Sequence, residues 1–155
     1  MTDWFLREAT NADVRLLWEW RNDPLLRETS LNQDFIPWES HSDWFDHKLS
    51  SVDCRIWILQ GNGSSVGQVR YDRDGETVEL TYSIAEIFRG RGLGTVLLQK
   101  SVPLACLELG TAKLIAFVKQ GNLASIRTLN RSGFEMMQVV TRNNERCWKF
   151  QRSCE

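Results

Sequence analysis

Hydrophobic and polar residues alternate along the middle of this chain with the period of two that is typical of half-buried strands. Residues 66–72 and 76–84 follow this pattern, and before them residues 55–60 form another strand-like stretch with four consecutive apolar residues. The short segments between them, residues 61–63 and 74–75, contain the glycines and the Asp-Gly pair that favour tight turns. The pattern therefore predicts an antiparallel meander of three strands at the centre of the fold.

The stretches on either side of the meander have apolar residues three and four positions apart, which is the helical period. Thr10 is a good N-cap for a helix through Leu17 that breaks at residues 22–24. Further helices are predicted at residues 39–49, at 95–109 and after Asn122, and further strands at 5–8, 114–118, 135–141 and 147–151. Helices combined with an antiparallel meander indicate one α/β (α+β) domain over residues 1–155, built as a three-layer sandwich.

Pro103 conflicts with this pattern. It lies inside the helix predicted over residues 95–109, where it has no N–H to donate and its ring clashes with the carbonyl of Gln99. We therefore expect a kink or an early end of the helix at this point.

Composition and charge narrow the classes of function. The chain has 155 residues, 25% of them charged, and a net charge of −1, values that are ordinary for one globular domain. This balance gives no indication of nucleic acid or an anionic membrane as a partner. No apolar run approaches the roughly 20 residues that a membrane helix needs, and the first residues do not resemble a signal peptide.

The cysteines and histidines do not form a metal-binding pattern. The chain has two histidines, and its four cysteines contain no C-x-x-C pair: Cys54, Cys106, Cys147 and Cys154. We therefore expect no metal site, four reduced thiols and a cytoplasmic location.

The most informative motif is the glycine-rich turn between the last meander strand and the helix after it. It consists of Arg89, Gly90, Arg91, Gly92, Leu93, Gly94 and Thr95. The first N–H groups of a helix have no partner within the helix, and the helix dipole adds about half a positive charge there. Glycines let a ligand approach the main chain, and the two arginines add full charge. The motif therefore predicts a site for a phosphorylated cofactor, against the alternative of a turn without a ligand.

The spacing of the glycines excludes two common phosphate-binding motifs. No Lys-Ser/Thr pair follows, as a P-loop requires, and the third glycine comes one residue too early for a dinucleotide fingerprint. Arg89, Gly92 and Gly94 instead match the (Gln/Arg)-x-x-Gly-x-(Gly/Ala) signature of the GCN5-related N-acetyltransferases, the GNAT superfamily.

A second segment resembles the other acetyl-CoA segment of the same family. Asn122 is followed by Ser125 and the segment closes with Gly133 and Phe134. The resemblance covers nearly the whole chain and implies the GNAT fold, with a mixed, mostly antiparallel central sheet. It also implies acetyl-CoA as co-substrate, held by both segments, and direct transfer of the acetyl group to an amine.

The resemblance assigns roles to the end of the meander. The main chain at Ser83 and Ile84 is expected to run along the pantetheine of the cofactor, and one of its N–H groups to polarise the thioester carbonyl. Glu79 lies on the same strand, where many members of the family carry a glutamate that acts as general base. The alternative for Glu79 is an ordinary solvated carboxylate.

His41 is a second candidate base, because an unperturbed histidine has a pKa near neutrality. Its alternative is an exposed helix residue, and His47 is predicted to lie at the surface. Many members of the family carry a tyrosine general acid seven residues after the asparagine, but Leu129 occupies that position here. Tyr82 alternates to the side of its strand opposite Glu79, so we predict no tyrosine acid.

The N-terminal third is expected to wall the acceptor site. Residues 20–24 and 39–45 together resemble the GNAT branch that acetylates nucleotide-linked amino sugars, as in pseudaminic acid biosynthesis. Arg21 and Asn22 are then donors to sugar hydroxyls or phosphate, and Trp44 is a stacking ring; the alternative for Arg21 is a cation at a helix C-terminus. Ribosomal-protein N-terminal acetyltransferases and spermidine acetyltransferases share part of the pattern. Those acceptors, a non-catalytic acyl-CoA-binding module and a homodimer remain as alternatives.

Overall fold

The computed structural model describes residues 2–155, and seven strands and five helices lie within them. The strands are β1 (Phe5–Glu8), β2 (Cys54–Gly61), β3 (Ser64–Asp74), β4 (Thr77–Ile84), β5 (Lys113–Lys119), β6 (Glu135–Arg142) and β7 (Glu145–Ser153). The helices are α1 (Val14–Arg21), α2 (Pro24–Thr29), α3 (Trp38–Ser50), α4 (Leu93–Leu109) and α5 (Leu123–Arg131). All seven strands form one sheet in the order β1-β2-β3-β4-β5-β7-β6.

The sheet is mixed and mostly antiparallel. Strands β1 to β4 pair antiparallel in chain order, β4 pairs parallel with β5, and β5, β7 and β6 are again antiparallel. The predicted turns have the positive φ angles that tight hairpins require: Asn62 at 52°, Gly63 at 74° and Gly75 at 65°. The meander predicted from the period-two pattern is confirmed.

Strands β4 and β5 separate part of the way along their length. They pair only at Thr77 with Lys113, Val78 with Leu114, and Glu79 with Ile115. Beyond these pairs, residues 80–84 of β4 and 116–119 of β5 have no partner strand on the side where the two strands face each other. The middle of the sheet therefore opens into a gap bounded by unpaired main chain.

Helices cover both faces of the sheet. The larger hydrophobic cluster joins α4 and α5 to one face, and the smaller joins α1 and α3 to the other through Leu17, Phe45 and the inward side chains of β2. Sheet residues such as Val69 and Leu114 are fully buried between these layers. The three-layer sandwich with a mixed, mostly antiparallel sheet is thus confirmed.

Helix α4 does not end at Pro103. It begins at Leu93, two residues before the predicted start, and continues to Leu109, where Gly110 closes it in a left-handed conformation. Buried residues lie on both sides of the proline, among them Val102 and Ala105. The expected early end is wrong because packing against the sheet outweighs one lost N–H and the local clash.

The expectation of four reduced thiols is also wrong. Cys106 of α4 and Cys154, just beyond β7, form a disulfide across 48 residues of sequence, with their Cα atoms 5.6 Å apart. Cys54 and Cys147 are free and buried. Local spacing in the sequence cannot reveal this disulfide, because it is the fold that brings the C-terminal residues back against α4. The location of the protein in the cell stays a prediction.

Among residues 2–155, no helix has the length and apolar character to span a bilayer. No three histidine, cysteine or acidic side chains of this part of the chain come together as metal ligands.

Candidate active site

A cavity of about 560 Å³ occupies the gap between the separated strands. Its floor is made by residues 80–83 of β4 and residues 116–119 of β5. Helices α1 and α3 supply one wall, and the first turns of α5 supply another. The cavity therefore lies where unpaired main-chain groups and side chains from both helical layers meet.

The strand register decides which β4 amides face this gap. Ala85 donates its N–H to the carbonyl of Val66 on β3, at 2.8 Å. Neighbouring residues of an antiparallel strand point their N–H groups to opposite sides, so Ser83 faces β3 while Tyr82 and Ile84 face the gap. Unpaired amides at a strand edge can pair with an extended amide-containing chain. Tyr82 thus joins the predicted Ile84 as a main-chain donor, whereas the main chain of Ser83 is committed to the sheet.

The glycine-rich turn presents the start of α4 to solvent. Gly90 and Gly92 have φ angles of 78° and 76°, and a Cβ on either would meet no atom within 4 Å. Gly92 is the N-cap, no side chain caps the helix, and the first helical bond runs from Val96 to the carbonyl of Gly92 at 3.3 Å. The N–H groups of residues 93–95 therefore point outward from a positive helix end, as anion binding requires.

Gly94 has a different role within the same turn. A Cβ there would approach Thr128 Cγ2 at 3.1 Å and the Tyr82 ring at 3.4 Å. Its missing side chain lets α4, α5 and β4 pack closely at one corner of the cavity.

The two arginines of the turn differ in what they contact. Arg89 forms an ion pair with Asp23 and donates from Nε to the carbonyl of Ile84 at 2.9 Å. Its charge is thus already balanced, and it ties the end of β4 to the segment between α1 and α2. Arg91 is exposed, donates to the carbonyl of Ile87 at 3.3 Å and has no ion pair within the described residues. We therefore expect Arg91, rather than Arg89, to offer charge to a bound anion.

The start of α5 brings the second predicted segment to the cavity. The side chain of Asn122 accepts the N–H of Ser125 at 3.3 Å and so caps the helix. Ser125 Oγ lies 2.7 Å from the hydroxyl of Tyr82. Leu129, one turn further along α5, is fully buried and also lines the cavity. Both predicted residues, Asn122 and Ser125, therefore lie at the wall that faces β4.

His41 is buried in the wall opposite α5, with 4% of its surface exposed, so the alternative of an exposed helix residue is wrong. Its Nε2 is 2.9 Å from the carbonyl of Val14, and its ring stacks on Phe45 with 5.9 Å between centroids. A carbonyl only accepts, so Nε2 carries the hydrogen and Nδ1 has the lone pair. Burial lowers the pKa of His41, and the charge of Arg21 adds to that effect. His41 is therefore neutral at pH 7 and able to take a proton, whereas His47 is exposed, as predicted.

We expect His41→Gln to lower kcat by about 100-fold or more, the usual effect of losing a general base. Glutamine can still donate to the carbonyl of Val14, so the helix packing is retained. In the wild type, kcat/KM should decrease as the pH is lowered, with a midpoint below pH 6.5, because the pKa of His41 lies below its usual value. The pH profile of the variant should lack that limb. His47→Gln, on the same helix, is the control and should match the wild type; an acid limb that survives in the His41 variant would contradict the assignment.

Glu79 lies on the cavity wall but is not free. Its Oε1 is 3.0 Å from Arg142 Nη1, and the Arg142 guanidinium lies 4.1 Å from the centre of the Phe117 ring. The hairpin between β6 and β7 thus reaches back over β4 and β5. With 38% of its side chain exposed, Glu79 is a solvated strand carboxylate that also has an ion-pair partner. The pairing favours His41 as the proton acceptor.

The acceptor side of the cavity carries an excess of positive charge. Arg21 donates from Nη2 to the carbonyl of Asn32 at 2.8 Å, while its Nη1 is buried without a partner. Arg70 donates from Nε to Asp72 at 2.7 Å and lies over the Trp44 ring at 4.8 Å. Burial lowers the pKa of Arg21, and the nearby charges of Arg27 and Arg70 lower it further. Arg21 has no ion pair within the described residues, and Arg70 shares the single carboxylate of Asp72 with Lys48. This side of the cavity is therefore suited to an anionic ligand.

Asn22 has both amide atoms engaged in holding the loop before α3. Its Oδ1 accepts the N–H of Ile36 at 2.7 Å, and its Nδ2 donates to the carbonyl of Ile36 at 3.0 Å. Asn22 is absent from the residues that line the cavity between β4 and β5, although Ile36 is among them. It therefore shapes the cavity wall, and the sequence-based role as a direct substrate donor has no geometric support.

Two cavity residues could not be picked out by sequence reasoning. Arg70 lies on β3 opposite Thr81 of β4, and the alternation of β3 places it on the α3 side of the sheet. The only available signal was that alternation, which does not distinguish a cavity from solvent. Tyr82 alternates to the other side, as predicted, but the separation of β4 from β5 leaves it on the same cavity as Glu79.

Comparison with known protein sequences agrees with this geometry. The profile of the acetyltransferase (GNAT) domain matches residues 4–135. The chain is 28% identical over 138 residues to the L-methionine sulfoximine/L-methionine sulfone acetyltransferase of Pseudomonas aeruginosa, covering 84% of this chain and 80% of that protein. It is 27% identical over 137 residues to the uncharacterized protein MJ1062 of Methanocaldococcus jannaschii. That match covers 84% of this chain but 28% of the longer relative.

Solved structures give the same fold at lower identity. The aminoglycoside acetyltransferase AAC(6')-Ib in complex with ribostamycin and coenzyme A has a TM-score of 0.84 and 20% identity, covering 97% of this chain and 93% of that one. Spermidine N-acetyltransferase from Vibrio cholerae in complex with CoA and spermine has a TM-score of 0.86 and 12% identity, covering 97% and 95%. The narrower amino-sugar branch stays a prediction. The chain belongs to the acetyltransferase (GNAT) domain family, which confirms the family and the fold predicted from its sequence.

Proposed function

We propose that this acetyltransferase domain transfers the acetyl group of acetyl-CoA to a primary amine of a nucleotide-linked amino sugar. The observation that carries the choice of acceptor is the pair of guanidinium groups, Arg21 and Arg70, on the acceptor side of the cavity. An acceptor joined to a diphosphate would supply negative charge to Arg21, which has no ion pair within the described residues, and to Arg70, which shares Asp72 with Lys48.

The cofactor is proposed to enter from the glycine-rich turn. Its diphosphate would be bound by the N–H groups of residues 93–95 and by Arg91, and its pantetheine would extend through the gap to the N–H groups of Tyr82 and Ile84. Charged hydrogen bonds contribute about 1.5–3 kcal/mol each, so a few of them account for useful affinity. Two of the similar structures contain bound coenzyme A, which supports the same cofactor here.

Acetyl transfer requires a neutral amine beside the thioester. An amine with a pKa of about 10.4 costs about 4.6 kcal/mol to deprotonate at pH 7, whereas one near 8 costs about 1.4 kcal/mol. Amines on a sugar ring are less basic than a lysine, because the neighbouring oxygens withdraw electrons. A neutral His41 is therefore a sufficient base. A main-chain N–H at the gap would polarise the thioester carbonyl.

The charge of the cavity argues against a polycationic acceptor. Three cations line it, Arg21, Arg70 and Lys119, against one acidic residue, Glu79. Arg70, Lys119 and Glu79 have ion-pair partners outside the lining, whereas Arg21 has none within the described residues. Aminoglycosides and spermine, which appear in the complexes of the structural relatives, carry several positive charges. Beside Ile36 of the cavity wall, Phe35 and Trp38 are 52% and 38% exposed, and such rings can stack on a nucleotide base.

An amino acid is the second candidate acceptor. The Pseudomonas relative is named for methionine sulfoximine and methionine sulfone, both of which carry a carboxylate beside the amine. A guanidinium binds a carboxylate as readily as a phosphate, so the two arginines are compatible with this acceptor too.

An assay of free thiol release tests the proposal. The acceptors compared are a 4-amino-sugar nucleotide, methionine sulfone, spermidine, kanamycin and a peptide with a free N-terminus. We expect kcat/KM to be highest for the sugar nucleotide, with methionine sulfone next. Highest activity on spermidine or kanamycin would contradict an anionic acceptor. Tight binding of acetyl-CoA without thiol release for any of them would instead favour the non-catalytic acyl-CoA-binding module.

A further inference from the structure

The departing thiolate of coenzyme A takes its proton either from water or from a side chain of this cavity. Five kinds of titratable side chain line it: the arginines, Lys119, His41, Glu79 and Tyr82. Glu79 accepts a hydrogen bond from Arg142 as a carboxylate and has no proton to give. Arginine does not release its proton at physiological pH. Lys119 donates to the carbonyl of Glu28 at 3.1 Å, and His41 is the proposed acceptor of the amine proton. Tyr82 is the remaining side-chain donor.

Tyr82 is held at the wall of the gap that faces the start of α4. Its hydroxyl lies 2.7 Å from Ser125 Oγ in the first turn of α5. Its ring packs at the corner where Gly94 makes room for it, beside the N–H groups proposed for the diphosphate. A cofactor that runs from that helix end into the gap therefore passes this tyrosine before it reaches His41 on the opposite wall.

We propose that Tyr82 is the general acid of the reaction, with Ser125 as the hydrogen-bond partner that orients its hydroxyl. The amine nitrogen attacks the thioester carbonyl carbon, the C–S bond breaks, and the sulfur keeps the electron pair and takes the proton of Tyr82. The proton lost by the amine goes to His41 and from there to solvent. Solvent returns a proton to Tyr82 through the Ser125 hydroxyl, so each group ends in its starting state.

The surroundings keep the hydroxyl protonated until sulfur carries charge. Burial raises the pKa of Tyr82, while its hydrogen bonds to Ser125 and Thr128 act in the opposite direction. These hydroxyls, together with the positive N-terminal end of α5, stabilise the phenolate that exists for a moment after proton transfer.

Tyr71 provides a matched control for this residue. It lies on the same meander, and its hydroxyl also lies close to a serine, 2.8 Å from Ser101 Oγ. It is fully buried, whereas Tyr82 is partly buried, and it does not line the cavity. Tyr71→Phe and Tyr82→Phe each remove a hydrogen bond between a tyrosine and a serine, but only Tyr82→Phe removes a proton donor from the site.

The test compares acetyl-CoA with its selenoester analogue, whose selenol is far more acidic and leaves without a proton. With acetyl-CoA, Tyr82→Phe should lower kcat by about 100-fold or more, with the Kd of acetyl-CoA unchanged. With the selenoester, the same variant should lose less than about tenfold, since the acid step is no longer needed. Tyr71→Phe should change kcat only slightly, and by the same factor with acetyl-CoA and with the selenoester. Ser125→Ala should give a smaller defect than Tyr82→Phe, again confined to the thioester.

If Tyr82→Phe lowered kcat equally with acetyl-CoA and with the selenoester, the proposal would be overturned and Tyr82 would be a packing residue. An unchanged kcat with acetyl-CoA would overturn it as well. The inference rests on acetyl transfer but not on which amine is used, so the assay takes the most active acceptor of the panel. Failure of the sugar nucleotide as acceptor would therefore leave this test intact, while absence of thiol release with every acceptor would end both proposals.

Discussion

Gly92→Glu is expected to lower the affinity for acetyl-CoA by about 100-fold or more. The φ angle of Gly92 is 76°, and a Cβ there meets nothing within 4 Å, so the new side chain projects into the space in front of the first α4 amides. A carboxylate in that space repels the diphosphate and competes for the same N–H groups. Loss of one or two charged hydrogen bonds, at about 1.5–3 kcal/mol each, corresponds to at least tenfold per bond.

Gly110→Glu is the matched control for this variant. Gly110 also has a left-handed conformation, with φ of 60° and no atom within 4 Å of a built Cβ, but it caps the opposite end of α4. Both substitutions carry a similar backbone cost of about 1–2 kcal/mol, which thermal unfolding will report. Isothermal titration with acetyl-CoA should then separate them. Equal affinities for the two variants and the wild type would remove the glycine-rich turn from the site.

The sequence predicted the meander and the turn before α4 because both are local features. Alternation of apolar residues reports which face of a strand is buried, and glycines report positive φ angles. Gly92 and Asn122 each take a helix-capping position, which depends on few residues beyond their immediate neighbours. The parts of the site that depend on local backbone conformation were therefore accessible to prediction.

The parts that depend on distances between elements were not accessible. Alternation placed Tyr82 and Glu79 on opposite sides of β4, but it does not say that β4 and β5 part after Glu79 and bring both to one cavity. The burial of His41 depends on α3 packing over Val14. The Cys106–Cys154 bond likewise depends on where the C-terminus returns to the fold. Each of these is a long-range contact for which a single sequence carries no periodic signal.

The positions of the proposed acid and base indicate how the two substrates are oriented in the cavity. Tyr82 belongs to the wall formed with α5 and His41 to the wall formed by α3, so the cavity separates proton donor from proton acceptor. The thioester must then lie between them, with its sulfur toward α5 and its carbonyl carbon open to an amine from the α1 and α3 side. The excess positive charge is on that same side, which makes the anionic part of the acceptor a means of positioning its amine.

Arg70→Gln is expected to raise KM for an anionic acceptor by about 10- to 100-fold, with kcat and the KM for acetyl-CoA little changed. One or two charged hydrogen bonds to a phosphate or carboxylate, about 1.5–3 kcal/mol each, account for this range. The substitution should not leave a buried charge unpaired, because Asp72 keeps its ion pair with Lys48 at 2.7 Å. The effect is measured by steady-state kinetics with the sugar nucleotide and with methionine sulfone.

Arg55→Gln is the control for this prediction, because Arg55 resembles Arg70 in exposure and in having a carboxylate partner but does not line the cavity. Arg55 has 28% of its side chain exposed, against 26% for Arg70, and it pairs with Glu108 at 3.0 Å. It should leave both KM values unchanged. If Arg70→Gln raised KM equally for a neutral amine, the arginine would shape the cavity rather than bind charge. If it raised activity on spermidine at the same time, removal of a repulsive charge would explain the change, and the basic acceptor side would be established as the filter that selects anionic amines.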